Sequence, residues 1–191
     1  MKRVGALFAD KALRELWELS DRVVGGIRRE ALRASLQQCG AEFHIYHPFQ
    51  VTGADRIRIG DNVHINRGAF IRGEGGLTIE DNVHIARNVV IYTVNHDYQG
   101  AALPYDETYI SKPVVIGKNA WIGMNCIVIP GAQIGEGAII AAGTVVSGII
   151  EALAIVGGGK CGKIKDRDKD HYERLERAGD YGGVAGRRPP K

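Results

Sequence analysis

The 191-residue sequence predicts a mainly β fold, a parallel β-helix of hexapeptide repeats, and three observations predict it. Every sixth residue from Ile116 to Val146 is aliphatic: Ile116, Ile122, Val128, Ile134, Ile140 and Val146. In nine hexads, starting at Ile59, Ile65, Ile79, Ile85, Ile116, Ile122, Val128, Ile134 and Ile140, the residue three further on is Asn or Gly. The residue four further on is small or β-branched, from Val63 and Ala69 to Ala138 and Thr144. Six residues at about 100° each turn a position through about 240°, so the aliphatic row would wander around an α-helix. Six is even, and alternate residues of a strand share a face. A recurrent Asn or Gly marks a left-handed backbone position, because Gly has no Cβ to clash and Asn tolerates the position best among the others. Each hexad is therefore a short strand and a tight corner. Three hexads make one triangular coil, and stacked coils bury the aliphatic and small positions. Each buried Ile or Val contributes roughly 1.5–3 kcal/mol, an upper bound on an extended-chain reference.

Residues 6–38 predict helix, with Leu13, Leu16, Trp17, Val23, Val24, Ile27 and Leu36 broadly at helical spacing and Gly25-Gly26 dividing it in two. The opposite face carries Arg14, Arg22, Arg28, Arg29 and Arg33. We assign residues 1–42 to a helical cap over the open end of the prism; the alternative is peripheral contact with an anionic membrane surface. Residues 43–165 form the β-helix. Its opening coil, 43–58, is degenerate, and regular coils begin at Ile59 and Ile79, where IGDNVHI and IEDNVHI match at six of seven positions. Their offset is twenty rather than eighteen, which places a two-residue excursion at Gly75-Gly76. The rhythm stops after Ile91 and resumes at Ile116, leaving a polar loop, 97–113. A long loop in a compact repeat is usually functional, and insertions gather on a binding face. The repeat is expected to end at Val146. Residues 166–191 form a charged tail with one short helix around Tyr172–Arg177.

The formal charge is +3, the basic residues are spread out except at the two ends, and only 7% of residues are aromatic. These values exclude a basic nucleic-acid groove and a base-stacking platform. Three cysteines, Cys39, Cys126 and Cys161, include no CxxC pair, and Cys126 falls in a small-residue slot of the repeat. That argues against a disulfide framework or a zinc site and fits a reducing compartment. No apolar run reaches the ~18 residues of a membrane span. Asp10, Lys11, Arg14 and Glu15 interrupt any signal-peptide layout, so a cytoplasmic location is expected.

One candidate base stands where the rhythm breaks. His96 follows Asn95 and precedes Asp97 and Tyr98, and a neutral imidazole takes a proton from a hydroxyl or amine near pH 7. His64 and His84 fill one slot of successive coils, and Trp121 fills it in a third. Coils stack about 4.8 Å apart, which makes the histidines a ladder. We read it as a surface or subunit-contact ladder, since a metal site would need a third ligand. No Ser or Cys nucleophile stands next to a base, and no GxxxxGK[ST] phosphate loop exists.

The hexads together with VNHDY, the loop and KNAWIGMNCIVIPGAQIGEGAIIAAGTVVSG resemble the hexapeptide-repeat acetyltransferases, in the sugar O-acetyltransferase branch, over about residues 57–165. The resemblance implies a left-handed β-helix, a homotrimer with sites in the grooves between subunits, and acetyl-CoA as co-substrate with no metal. It implies His96 as the general base in direct transfer to an acceptor hydroxyl within a ternary complex, and a backbone N–H near Met124 as the oxyanion donor. The matching coenzyme positions are Trp121, Gly123, Met124, Ala141, Ala142, Gly143 and Ser147. Those for a sugar, nucleotide-sugar or glycan acceptor are Asn66, Glu74, Asn95, Asp97 and Tyr98. The loop adds Tyr105, Asp106, Glu107 and Tyr109 as groups suited to sugar hydroxyls. After the last coil the chain departs from the family: VVSGIIEALAIVGGGKCGKIK lacks the usual prolines and basic clasp. Lys163 and Lys165, with Lys160, are the substitutes for gripping coenzyme phosphates.

Three other readings compete with a sugar O-acetyltransferase. An aminosugar N-acetyltransferase is the nearest, and a non-catalytic trimeric scaffold is the second. A metal-dependent hydratase like the γ-class carbonic anhydrases needs a second histidine five residues after the first, and that position after His96 is Ala101.

Overall fold

The computed structural model describes residues 19, 22–97, 107–158, 162–166 and 168–179. A helix, α1, covers residues 22–35, and the chain then winds through short strands on three faces. The first face stacks Gln38–Cys39, Ile57–Ile59, Leu77–Ile79, Val114–Ile116, Gln133–Ile134 and Ile149–Ile150. The second stacks His44–Ile45, His64–Ile65, His84–Ile85, Trp121–Ile122, Ile139–Ile140 and Ala154–Gly157. The third stacks Phe49–Thr52, Ala69–Arg72, Val90–Tyr92, Ile127–Val128 and Val145–Val146. Neighbouring strands within these stacks are parallel, and the architecture is a left-handed parallel β-helix.

The hexad pattern accounts for this shape position by position. All nine corner residues have positive φ, from 53° at Asn62 to 86° at Gly131. The aliphatic starts form three inward rows. Ile59, Ile79, Ile116 and Ile134 line the first; Ile65, Ile85, Ile122 and Ile140 the second; Ile71, Ile91, Val128 and Val146 the third; none is more than 3% exposed. Between them sit the small residues, with Val63, Ala120, Cys126, Ala132, Ala138 and Thr144 buried as well.

Four features differ from the sequence expectation. The helix is not broken at Gly25-Gly26. Gly25 instead lets the helix approach the next segment, because a Cβ there would lie 2.9 Å from the His47 Cβ. The first coil strand, Gln38–Cys39, lies before residue 43 and pairs with Ile57–Ile59. The repeat also does not end at Val146. Ile150 pairs with Ile134, a separation of sixteen, whereas Ile134 pairs with Ile116 at eighteen. This last coil is two residues shorter, with Gly148 and Leu153 at its left-handed corners (φ 68° and 62°) and Ile150, Ala154 and Val156 buried. The shortened corner shifts the pattern out of the six-residue frame, so a strict hexad count stops too early.

The fourth is the tail, where the expected helix is present but is preceded by a strand and docked on the β-helix. Strand Gly162–Asp166 turns back antiparallel on Ala154–Gly157. Helix α2, Lys169–Ala178, follows; Asp168 caps it by accepting from the His171 N–H at 2.8 Å. The helix docks on the corner between the first and second faces. Tyr172 is buried there, its hydroxyl donating to Glu136, while Asn119 Nδ2 donates to the Tyr172 hydroxyl (2.6 Å) and to Glu176 (2.7 Å). Lys118 pairs with Glu176. Burial, reinforced by the Glu136 contact, pushes the Tyr172 phenol up to about 12. Gly137, at φ 65°, makes room, since a Cβ there would lie 2.8 Å from the Tyr172 ring.

Candidate active site

The corner between the third and first faces is where the coils carry extra residues. Successive coils place there the 3-10 turn Ala54–Arg56, residues 73–76, and the long loop. The excursion expected at Gly75-Gly76 is thus the middle member of a stack. Its layers are tied together: Arg56 donates to the Glu74 carbonyl (2.9 Å), Gly75 N–H to the Thr93 hydroxyl (2.8 Å), and that hydroxyl to the Arg72 carbonyl (2.7 Å). Gly75 has no alternative, because a Cβ would come within 2.1 Å of the Thr93 carbonyl oxygen.

The loop leaves through strand Val94–His96 and returns through Tyr109–Ser111, paired antiparallel with His96 opposite Tyr109. Asp97 N–H donates to the Thr108 carbonyl at 3.0 Å. The His96 ring is half-buried and lies 4.4 Å from the Tyr109 ring, centroid to centroid. The Arg72 guanidinium sits 5.5 Å from the same Tyr109 ring, and its Nε lies 3.7 Å from Glu74 Oε1. Glu74 Oε2 is buried and accepts no hydrogen bond among the described residues. A buried carboxylate oxygen with no donor is unusual in a native fold and suits a ligand that brings one. Asn95 is exposed, and its Oδ1 accepts from the His96 backbone N–H at 3.0 Å. Tyr98, Tyr105 and Asp106 lie outside the described residues. His96 and Glu74 are sequence candidates that lie at this corner; Arg72, an outward position of a regular strand, is there too and was not among the candidates. Sequence reasoning also read Tyr109 as loop, because a polar segment hid the return strand.

Most of the candidate coenzyme positions occupy a different corner. Gly123 and Met124, and Ala141 to Gly143 one coil on, stack between the second and third faces, and Asn66 stands at the same corner in an earlier coil. Gly143 N–H donates to the Met124 carbonyl (2.9 Å), and Gly123 is closed to a side chain by Ala142 N at 2.6 Å. Met124 is 51% exposed and Trp121, on the second face beside them, 56%. Cys126, beneath, donates to the Ala141 carbonyl (3.1 Å), and burial pushes its thiol pKa up, so it is not an activated nucleophile. Ser147 is exposed on the corner that, further down, holds Glu74 and the loop. Lys163 is held by Asp166 (3.0 Å) and Glu151 (3.4 Å), contacts that raise its pKa, while Lys165 is exposed. One chain therefore places His96 and Glu74 at one corner, linked through Tyr109 and Arg72, and gathers Gly123, Met124, Ala141–Gly143 and Asn66 at another.

Comparison with known proteins decides the family. Residues 113–148 match the family model for bacterial transferase hexapeptide (six repeats), and residues 56–93 match the hexapeptide repeat of succinyl-transferase. The galactoside O-acetyltransferase of Escherichia coli is 31% identical over 148 residues, covering 76% of this chain and 72% of that protein. This chain belongs to the hexapeptide-repeat acetyltransferases. Among solved structures, a maltose O-acetyltransferase from Clostridium difficile 630 superposes with a TM-score of 0.68 at 28% identity, covering 82% of this chain and 87% of that one. A hexapeptide-repeat acetyltransferase from Vibrio cholerae O1 biovar eltor, complexed with acetyl coenzyme A, gives 0.68 at 25% identity, covering 83% and 89%.

In this acetyltransferase the expected histidine ladder has three rungs rather than two. The His44 ring stacks 4.9 Å from His64, and His64 lies 4.7 Å from His84. His44 was hidden in the degenerate opening coil. The stack does not converge on a point, and among the described residues no group of three His, Cys, Asp or Glu is arranged to hold a metal. Asn62 Nδ2 donates to Asn82 Oδ1 (2.9 Å), which leaves Asn62 Oδ1 to accept from His64 Nε2–H at 2.9 Å. Burial first, then the two neighbouring histidines, push the His64 pKa from 6.5 down to about 4. Between those two values the unfolded chain takes up a proton that the folded chain refuses, so stability should fall as pH drops from 6.5 towards 4. The expected result is a denaturant midpoint that drops more steeply over that range in the wild type than in His64→Phe. Equal slopes would show that His64 is not the group responsible.

Proposed function

We propose that the chain transfers the acetyl group of acetyl-CoA to a hydroxyl of a sugar or other saccharide acceptor, with His96 as general base. The observation that carries this reading is the run of contacts from His96 through Tyr109 and Arg72 to Glu74 at the corner where the repeat is interrupted. The imidazole would take the acceptor's hydroxyl proton as its oxygen attacks the thioester carbonyl. The tetrahedral adduct then expels the thiolate, which takes up from the imidazolium the proton that came from the acceptor, so no acyl-enzyme is needed. A backbone N–H near Met124 would meet the developing oxyanion. Trp121, Gly123, Met124, Ala141, Ala142, Gly143 and Ser147 would line the coenzyme, with Lys165 near its phosphates. Lys163 would do so only by giving up Asp166 and Glu151. Asn66, Glu74, Asn95, Asp97 and Tyr98 would hold the acceptor.

The division of these groups between two corners supports a homotrimer. A complete site then forms where one copy's coenzyme corner meets the next copy's His96 corner. Ile127 and Val145, partly exposed on the face between those corners, suit such a contact. The exposed Leu19, Val23 and Ile27 of the N-terminal segment are the groups that peripheral membrane contact would use. No helix among the described residues is long and apolar enough to cross a membrane. A cytoplasmic enzyme of polysaccharide biosynthesis fits this chemistry. Calorimetry with acetyl-CoA tests the coenzyme half of the reading. Saturable binding of one coenzyme per chain, on a particle with the mass of three chains, is expected. No heat at millimolar coenzyme would point to a scaffold instead.

A further inference from the structure

We propose that Tyr109 is a positioning residue for the base: its ring sets the orientation of the His96 imidazole. The inference rests on the reading of His96 as base. Tyr109 is the direct cross-strand partner of His96 in the hairpin that Val94–His96 forms with Tyr109–Ser111. Side chains at such paired positions project from the same face of the ribbon and pack on each other. Here the two rings lie 4.4 Å apart with planes inclined by 35°.

Tyr109 is itself held. The Arg72 guanidinium lies 5.5 Å from its ring centroid, within range of a cation–π contact. Arg72 is in turn fixed to the coil: its carbonyl accepts from both the Thr93 hydroxyl (2.7 Å) and the Thr93 N–H (3.0 Å). The chain of contacts runs from the rigid β-helix through Arg72 and Tyr109 to His96. It bridges the point where the backbone leaves the regular repeat.

Core packing does not explain the tyrosine. Its side chain is 50% exposed and takes no part in the buried cluster of the β-helix. A histidine χ2 is a broad, roughly two-fold torsion, so a surface against the ring decides where its nitrogens point. A ring face is what that task needs, and the tyrosine hydroxyl is not required for it.

The test compares Tyr109→Leu, Tyr109→Phe and His96→Ala in steady-state kinetics, with NMR of the His96 ring protons. Tyr109→Leu should lower kcat by about 10- to 100-fold, the scale of a base misplaced by an ångström or less, with KM for acetyl-CoA unchanged. Tyr109→Phe should recover most of that loss. The ring-current shift on the His96 protons should vanish in the Leu variant and persist in the Phe variant, a readout independent of turnover. Wild-type kcat in Tyr109→Leu overturns the proposal, and so does Tyr109→Phe as impaired as Leu, which would assign the role to the hydroxyl. If His96→Ala turns over like the wild type, the base itself is misassigned. If His96→Ala is inactive while Tyr109→Leu is unimpaired, only the positioning role falls.

Discussion

His96→Ala lowers turnover by about 10²- to 10⁴-fold, the range that a positioned general base contributes, and leaves the melting temperature close to that of the wild type. The two halves of this expectation come from different parts of the structure. The catalytic half comes from the corner itself, where His96 stands one coil from Glu74 and Arg72. The stability half comes from burial. His96 is half-buried at the rim, on a hairpin outside the three inward rows. Its imidazole packs on Tyr109 rather than on the aliphatic core. Steady-state thiol release paired with a thermal melt reads both halves. A variant that loses activity only because it unfolds would show a lowered melting temperature, and that result would leave the catalytic role without support.

Ile122→Ala should destabilise the fold by about 2–5 kcal/mol, the cost of a large core cavity. Ile122 is fully buried in the second inward row, between Ile85 below and Ile140 above. Its strand is hydrogen-bonded to a coil on each side: Trp121 N–H donates to the Ala138 carbonyl (2.9 Å), and His84 N–H to the Ala120 carbonyl (3.1 Å). Neighbouring rungs are fixed by their own ladders and corners, so they cannot slide in to fill the space. Ile149→Ala is the matched comparison. Ile149 is 76% exposed in the chain, and its truncation should change the stability of the isolated chain by no more than about 0.5 kcal/mol. Denaturant midpoints with unchanged slopes measure both. A cost below 1 kcal/mol for Ile122→Ala would mean that the row is less tightly packed than the ladder requires.

How much of this was readable in the chain follows from what each residue depends on. Corner residues depend only on local backbone conformation, so Asn62, Asn82, Asn88, Asn119 and Asn125 could be assigned one by one, and each adopts positive φ. The inward rows depend on a strict period and were equally readable until the period changed. Gly148 and Ile150 continue the coil in a shorter frame, and no six-residue count can find them. Gly25-Gly26 looked like a break because glycine weakens helices, but the requirement there is space against His47.

The site divides in the same way. His96 was visible because the rhythm failed beside it, and Glu74 because the resemblance marked it. Arg72 and Tyr109 join them through a contact between residues far apart in sequence and through a hairpin pairing, which no local pattern records. Tyr172 is a similar case: its place against Asn119 and Glu136 depends on a chain reversal at residues 162–166 that the charged composition of the tail does not signal. The Lys163 contacts with Asp166 and Glu151 also needed the reversed strand to become apparent.

Acetyl transfer is proposed to take place where the hexad repeat is interrupted. The most direct test is thiol release from acetyl-CoA across a panel of saccharide and aminosugar acceptors, with wild type and His96→Ala side by side. The expected result is acceptor-dependent release by the wild type on hydroxyl-bearing saccharides, reduced at least about 10²-fold in His96→Ala. Equal release by the two proteins on the same acceptor would contradict it.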